Sequence, residues 1–147
     1  MTYPSRKLAI LESNLDDMNP EWFEPLMDQL FKRGALDVWF IPIIMKKSRP
    51  AILLQVLCQP KKKKDLVGVI LNESTTLGVR SYEVERFELQ REVRKIKTPY
   101  GRILVKVGLD AQGRVMNVAP EYESCRQLSL KKKIPLKKIY AACLKKS

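Results

Sequence analysis

Apolar positions recur along the chain in short blocks whose period changes from two to about 3.6 and back. Leu8-Ala9-Ile10-Leu11 is a compact apolar run that predicts a buried strand. Asn19-Pro20-Glu21 then carries the signature of a helix start: a capping side chain, a proline at the first helical position and a carboxylate near the positive end. Phe23, Leu26, Met27, Leu30 and Phe31 follow at helical spacing, and Gly34 supplies a left-handed stop. A second strand is expected from Leu36 to Met45, a turn at Lys46–Pro50, and a returning strand from Ala51 to Cys58. Pro60 opens a second helix with Leu66, Val69 and Ile70 as its apolar stripe, closing near Thr75–Gly78, and a fourth strand starts at Val79.

The resulting β-α-β-β-α-β order predicts an α+β fold with a ferredoxin-like unit, two helices packing on one face of a four-stranded antiparallel sheet. From about Phe87 the texture changes. Charges interrupt Val93 and Ile96, which predicts a twisted or bulged strand. Tyr100-Gly101 reads as a turn, Ile103, Val105, Val107 and Leu109 alternate as a half-buried strand, and Asp110–Gly113 turns the chain into Val115–Val118. Pro120 and Pro135 are each expected to start a helix, the second striped by Leu136, Ile139, Tyr140, Cys143 and Leu144. The expected organisation is a ferredoxin-like subdomain over residues 1–89, then a smaller β-hairpin and two-helix subdomain over 90–147.

Composition changes the picture in three ways. The chain has no histidine, which removes Ser-His-Asp and Cys-His catalysis, the HExxH helix and His-ligated zinc. Its three cysteines, Cys58, Cys125 and Cys143, form no CxxC pair, as expected of reduced thiols in a cytoplasmic protein. No apolar run reaches the length of a membrane span, so no membrane partner is expected. The net charge of +12 attracts polyanions. The lysine runs at 61–64, 131–133, 137–138 and 145–146 read as solvated faces, which directs attention to isolated basic residues beside turns.

Five groups could carry chemistry. Glu12, Asn14, Asp16, Asp17 and Asn19 lie between a strand end and a helix start; such carboxylates suit a hard divalent cation or serve as turn caps. Lys46, Lys47 and Arg49 sit in a hairpin turn, where they can converge on phosphate or protect an edge. Ser74–Arg80 offers hydroxyls and Gly78 at a helix-to-strand turn. Arg91, Glu92 and Lys106 form a looser group. Glu121, Glu123 and Arg126 lie in the first turns of a helix, beside a Cys125 expected to be packed rather than nucleophilic. Nothing identifies a general base, and the catalytic residues stay unassigned.

Taken together and in order, LESNLDDMNPEWFEPLMDQLFKRGALDVWF, PIIMKKSRPAILLQVLC, ESTTLGVR, QREVRKIKTPYGRILVKV and NVAPEYESCRQL resemble the C-terminal portion of the LarC family of nickel insertion proteins. The resemblance implies a CTP-dependent nickel chelatase of the lyase class, which inserts Ni²⁺ into pyridinium-3,5-bisthiocarboxylic acid mononucleotide to make the cofactor of lactate racemase. It implies CTP as cosubstrate with Mn²⁺ or Mg²⁺, and a partner N-terminal domain that this chain lacks. By the same resemblance, Asp16, Asp17, Glu121 and Glu123 are candidates for metal contact. Lys46, Lys47, Arg49, Arg80, Arg91, Lys106 and Arg126 are candidates for triphosphate contact. A ferredoxin-like sheet often pairs with copies of itself, so a homo-oligomer is expected. The competing readings are a basic nucleic-acid-binding module, disfavoured by the acidic motifs, and an oligomerisation domain of a larger enzyme.

Overall fold

The computed structural model describes residues 3–144, with the side chain of Leu144 excepted; Lys145 and Lys146 lie outside the described residues. The chain forms two compact units. One is Ser5–Arg86, and the other takes the chain from Phe87 onward together with the residues preceding Ser5.

In the first unit, β1 (Ser5–Leu15) leads through a short 3₁₀ turn at Pro20–Trp22 into α1 (Phe23–Lys32). β2 (Asp37–Met45) and β3 (Arg49–Cys58) form a hairpin, α2 (Lys63–Glu73) follows, and β4 (Arg80–Phe87) closes the β-α-β-β-α-β order. The strands are ordered β2-β3-β1-β4, so β1 is central and the hairpin lies wholly to one side of it. This is the split arrangement that the element order predicts. β1 runs antiparallel to β3 with Leu11 opposite Val56 and Ser13 opposite Leu54, and β2 places Val38 opposite Val56.

Alternation then decides the faces. Ala9, Leu11 and Leu15 join Leu54, Val56, Cys58 and Val38 on the side where α1 contributes Leu26 and Leu30 and α2 contributes Leu66, Val69 and Ile70; these side chains form one core. Burying a Leu or Ile is worth about 1.5–3 kcal/mol, so this cluster is the main source of the unit's stability. The odd-numbered positions of β2 and β3 and the even-numbered ones of β1 face away from the helices, and the polar residues Glu12, Asn14 and Gln55 lie there.

In the second unit, β5 (Gln90–Thr98), β6 (Gly101–Leu109) and β7 (Val115–Pro120) form a three-stranded antiparallel sheet in sequence order, the three strands that the apolar pattern predicts. α3 (Tyr122–Lys132) and α4 (Leu136–Leu144) supply Cys125, Ile139 and Cys143, which pack on Ile103 and Ile96.

Two local expectations are corrected. β5 pairs with β6 over its whole length without a break, and the irregularity falls instead between Gly108 and Leu109, where β6 meets β7. Charges on β5 need no bulge because it is an edge strand, where they reach water. Pro120 ends β7 opposite Val105 rather than starting a helix; an edge strand tolerates a residue without an N–H, and the helix begins at Tyr122. No helix among the described residues is long and apolar enough to cross a membrane.

Candidate functional site

The first group forms where β1 ends. The strand persists through Leu15, so Glu12 and Asn14 share the helix-free face. Asp16 lies just beyond, and its Oδ2 accepts a hydrogen bond from Arg49 Nη1 at 3.1 Å. Arg49 opens β3 directly after the 3₁₀ turn Lys46–Ser48, where Lys47 and Ser48 both adopt positive φ. The turn therefore brings Lys46, Lys47 and Arg49 to the same end of the sheet as Asp16. The Asp16–Arg49 pair is largely solvated, with side-chain exposures of 26% and 55%. Such pairs contribute only about 0–1 kcal/mol, so a ligand can separate them at little cost.

Asp17 accepts from Thr75 Oγ1 at 2.5 Å, which fastens the loop between α2 and β4 to the end of β1. On the opposite face of β1, buried Ser13 donates towards Thr76 Oγ1 at 2.6 Å and the Gly78 carbonyl at 3.0 Å. Ser74 Oγ donates to the Ile70 carbonyl at 2.6 Å. The hydroxyls of this loop are thus committed to holding its shape, which sets where β4 and Arg80 begin.

Arg80 donates from Nη2 to Asn14 Oδ1 at 2.8 Å and lies 3.4 Å from Glu12 Oε2. Tyr82 Oη donates to Glu12 Oε1 at 2.8 Å. Gln55 Nε2 donates to the same oxygen, while its Oε1 accepts from Trp39 Nε1 at 2.6 Å. A hydrogen-bonded row consequently crosses β2, β3, β1 and β4 on the helix-free face. The Tyr82 hydroxyl is the largest influence on Glu12; with Gln55 and Arg80 it overcomes the effect of burial and holds the carboxyl below its ordinary value of 4.5. The Tyr82 phenol is raised above 10.0 chiefly by the same bond. Glu12 is a stably ionised anchor for Arg80, unsuited to accepting a proton in a reaction near neutrality. Sequence reasoning missed Tyr82, Gln55 and Trp39. The available signal was Gln55, a lone polar residue in the apolar run Ala51–Cys58.

In the second unit, Arg91 and Lys106 share the sheet face opposite the helices, since Arg91 opposes Gly108 and Val93 opposes Lys106. Lys95, Lys97 and Arg102 lie on this face too, all exposed. Lys106 Nζ is 3.4 Å from Glu121 Oε1, whereas Glu123 pairs along α3 with Arg126 at 3.7 Å. Ser124 Oγ accepts the Leu104 N–H at 3.0 Å and so ties α3 to β6. Cys125 is fully buried, with its thiol pushed up to about 11 by burial and by Cys143, as a packed rather than nucleophilic residue requires.

Among the described residues no three Asp, Glu or Cys side chains converge as a ready metal cage. The donor chemistry at the β1 end still fits one kind of ion. Mg²⁺ and Mn²⁺ take oxygen ligands, and Mg²⁺ in particular is commonly held by one or two carboxylates plus substrate phosphates. Asp16 lies against Arg49 of the basic turn, and Asp17, the next residue, is held by Thr75.

Comparison with known proteins defines the class. A solved structure of LarC2, described as the C-terminal domain of a cyclometallase involved in the synthesis of the NPN cofactor of lactate racemase, superposes with a TM-score of 0.89 at 40% identity, over 96% of each chain. A protein of Methanopyrus kandleri AV19 shares the fold at 23% identity and a TM-score of 0.71. The model of the nickel insertion protein family matches residues 2–140. The chain belongs to the nickel insertion protein family. It is 44% identical over 142 residues to a pyridinium-3,5-bisthiocarboxylic acid mononucleotide nickel insertion protein of Thermotoga petrophila, covering 97% of this chain and 36% of that protein. With the corresponding protein of Clostridium kluyveri it shares 47% identity over 131 residues, covering 89% and 33%. The chain thus spans about a third of the length of the curated relatives it matches.

Proposed function

We propose that this chain is the nucleotide-binding part of a CTP-dependent nickel insertion enzyme that makes the nickel-pincer cofactor of lactate racemase, working with the further domain that its relatives carry. The observation that carries this reading is the meeting of Asp16 with Arg49 at 3.1 Å, beside Lys46 and Lys47 in one turn. A lone acidic cluster would repel a triphosphate and a lone basic cluster would not need a metal. The mixture suits a polyphosphate carried with a divalent ion.

In this reading Asp16 and Asp17 would hold Mn²⁺ or Mg²⁺, which supplies Lewis acidity at the phosphate oxygens. Lys46 and Lys47 act as point charges on the phosphates, and Arg49 leaves Asp16 to bind two phosphate oxygens. Arg80, held by Glu12 and Asn14, presents a pre-oriented guanidinium. The assignment extends in the second unit to Arg91, Lys106 and Arg126 for phosphate and to Glu121 and Glu123 for metal. Nickel and the pyridinium mononucleotide are the substrates of the whole enzyme, which we place in the lyase class, in the cytoplasm and as a homo-oligomer.

Thermal unfolding and calorimetry test this directly. CTP with Mn²⁺ at a hundredfold excess over its dissociation constant adds about 2.7 kcal/mol and should raise the melting temperature by roughly 5–10 °C, with ATP weaker. Removing one charge-assisted contact costs about 1.5–3 kcal/mol, so Lys46→Ala and Arg49→Ala should each weaken CTP roughly 10- to 100-fold while the ligand-free melting temperature hardly moves. Unchanged affinity in both variants would refute the assignment.

A further inference from the structure

The second unit has few carboxylates, and most of them are engaged away from its open sheet face. After Phe87 the chain's acidic residues are Glu88, Glu92, Asp110, Glu121 and Glu123. Glu92, Asp110 and Glu123 pair with Arg94, Arg114 and Arg126, and Glu121 answers Lys106. On the helix-free face of the sheet this leaves Arg91, Lys95, Lys97 and Arg102 exposed, with no carboxylate paired to them among the described residues. Lys97 stands directly opposite Arg102 across the β5–β6 ladder, and like charges so placed cost stability. β5 is also an edge strand. Among the described residues it pairs with β6 alone, so every second residue turns its N–H and C=O away from the sheet.

We infer that the outer edge of β5 is an interaction surface that takes up an extended acidic segment of a partner protein as an added strand. Backbone bonds to the open edge supply the pairing, and the basic face supplies the choice of partner. Side chains of an added strand alternate between its two faces, so carboxylates at every second position come beside Arg91, Lys95 and Lys97. Val93 lies within that row and, at 59% exposure, offers an apolar contact between the charges. An acidic strand also offsets the Lys97–Arg102 conflict, which the described residues leave unanswered. A second copy of β5 is a poor occupant, since it sets cation against cation. A nucleic-acid strand is the less suited polyanion, because β5, β6 and β7 contain no aromatic residue on which bases could stack. Lys95, Lys97 and Arg102 have no part in the phosphate assignment above, so the two readings can be tested apart.

The experiment measures binding to the whole chain in roughly 0.1 M salt, where surface charges still act over short range. The first probe is a peptide of about eight residues, a common strand length, alternating glutamate and threonine. Two further forms of it are N-methylated, one on each set of alternate residues, and the last probe is a single-stranded oligothymidylate of similar length. The double variant Lys95→Glu, Lys97→Glu is compared with the unaltered chain; both side chains are exposed, so its melting temperature should hardly move. The expected result is that the parent peptide binds, slows amide exchange in β5 and loses roughly 5- to 30-fold in affinity in the double variant, while CTP binding is unchanged. The N-methylated form whose missing N–H groups face β5 should bind at least about tenfold more weakly than its parent. If both N-methylated forms bind as well as the parent, the attraction is one of charge without an added strand, and the inference is overturned. It is equally overturned by an oligothymidylate that binds more tightly than the peptide and weakens in the double variant, which assigns the face to nucleic acid, and by a chain that binds neither probe.

Discussion

Glu12 shows how much a single side chain depends on its neighbours. Its carboxylate accepts from Tyr82, Gln55 and Arg80, and these bonds favour the ionised form over the neutral one. A carboxyl whose folded value is depressed contributes stability above its unfolded value, and that contribution disappears as pH falls through the folded value. The row is therefore fully effective above about pH 4.5 and is lost on further acidification. Tyr82→Phe removes the largest stabilising bond. It should cost about 1 kcal/mol at neutral pH, less than a buried charged hydrogen bond because Tyr82 is 44% exposed. It should also move the Glu12 titration upward, so that acid destabilisation starts at a higher pH. Carboxyl-detected NMR titration and melting curves between pH 3 and 7 check both effects; an unmoved Glu12 titration would dismiss Tyr82 as the cause. That Glu12 and Asn14 share a face was legible from alternation alone. Their partners were not, because Tyr82 and Gln55 reach Glu12 only through a strand order in which β1 lies between β3 and β4, and no local pattern encodes that order.

At the scale of elements, the sequence announced what depends on local chemistry and obscured what depends on neighbours. Asn19 caps through Oδ1, which accepts the Glu21 N–H at 3.0 Å, and Gly34 turns with φ of 101°, both as their residue types predict. Pro120 misled because a proline that starts a helix and one that ends an edge strand look alike in sequence; only pairing with Val105 separates them. The Asp110 turn is another local device. Burial alone would raise its carboxyl, yet the N–H groups of Arg114 and Gln112 and the Arg114 side chain hold it below the ordinary 3.8. The β5–β6 turn is tighter still. Gly101 has φ of 144°, a region L-residues avoid, and a Cβ there would meet Leu128 Cδ1 at 3.1 Å. Thr98 Oγ1 donates to the Gly101 carbonyl at 2.8 Å and accepts the Tyr100 N–H at 3.2 Å, so the turn has no freedom to relax. Gly101→Ala should destabilise the second unit by about 1–3 kcal/mol. Chemical denaturation followed by a probe in that unit measures it, and a loss below a few tenths of a kcal/mol would show that the turn yields after all.

Across the whole molecule, the two units differ in how much apolar surface secures them. The first unit's core joins both helices to three strands through fully buried leucines and isoleucines, including Leu11, Leu26, Leu30, Leu54, Leu66 and Ile70. The second unit's fully buried cluster is built on Ile103 and Ile139 with two cysteines, and it relies on partly exposed Ile96, Tyr100, Leu128 and Tyr140 to complete it. The strand alternation of Ile103, Val105 and Val107 made this second sheet legible. The thinness of its core was not, since that follows from how little of α3 is apolar: Cys125 is the only buried residue of that helix. Local opening costs least where few apolar groups hold an element. Amide hydrogen exchange should therefore be slowest in β1, β3 and α2, and faster by at least about tenfold in β7 and α4, a difference of roughly 1.4 kcal/mol in opening free energy. Cys125→Ala, which deletes a buried sulfur at the centre of the smaller cluster, should accelerate exchange across β6, α3 and α4 while leaving β1 and β3 unaltered. If exchange instead slows and quickens in concert over all of these segments, the two cores open as one cooperative body and the division of stability between them is refuted.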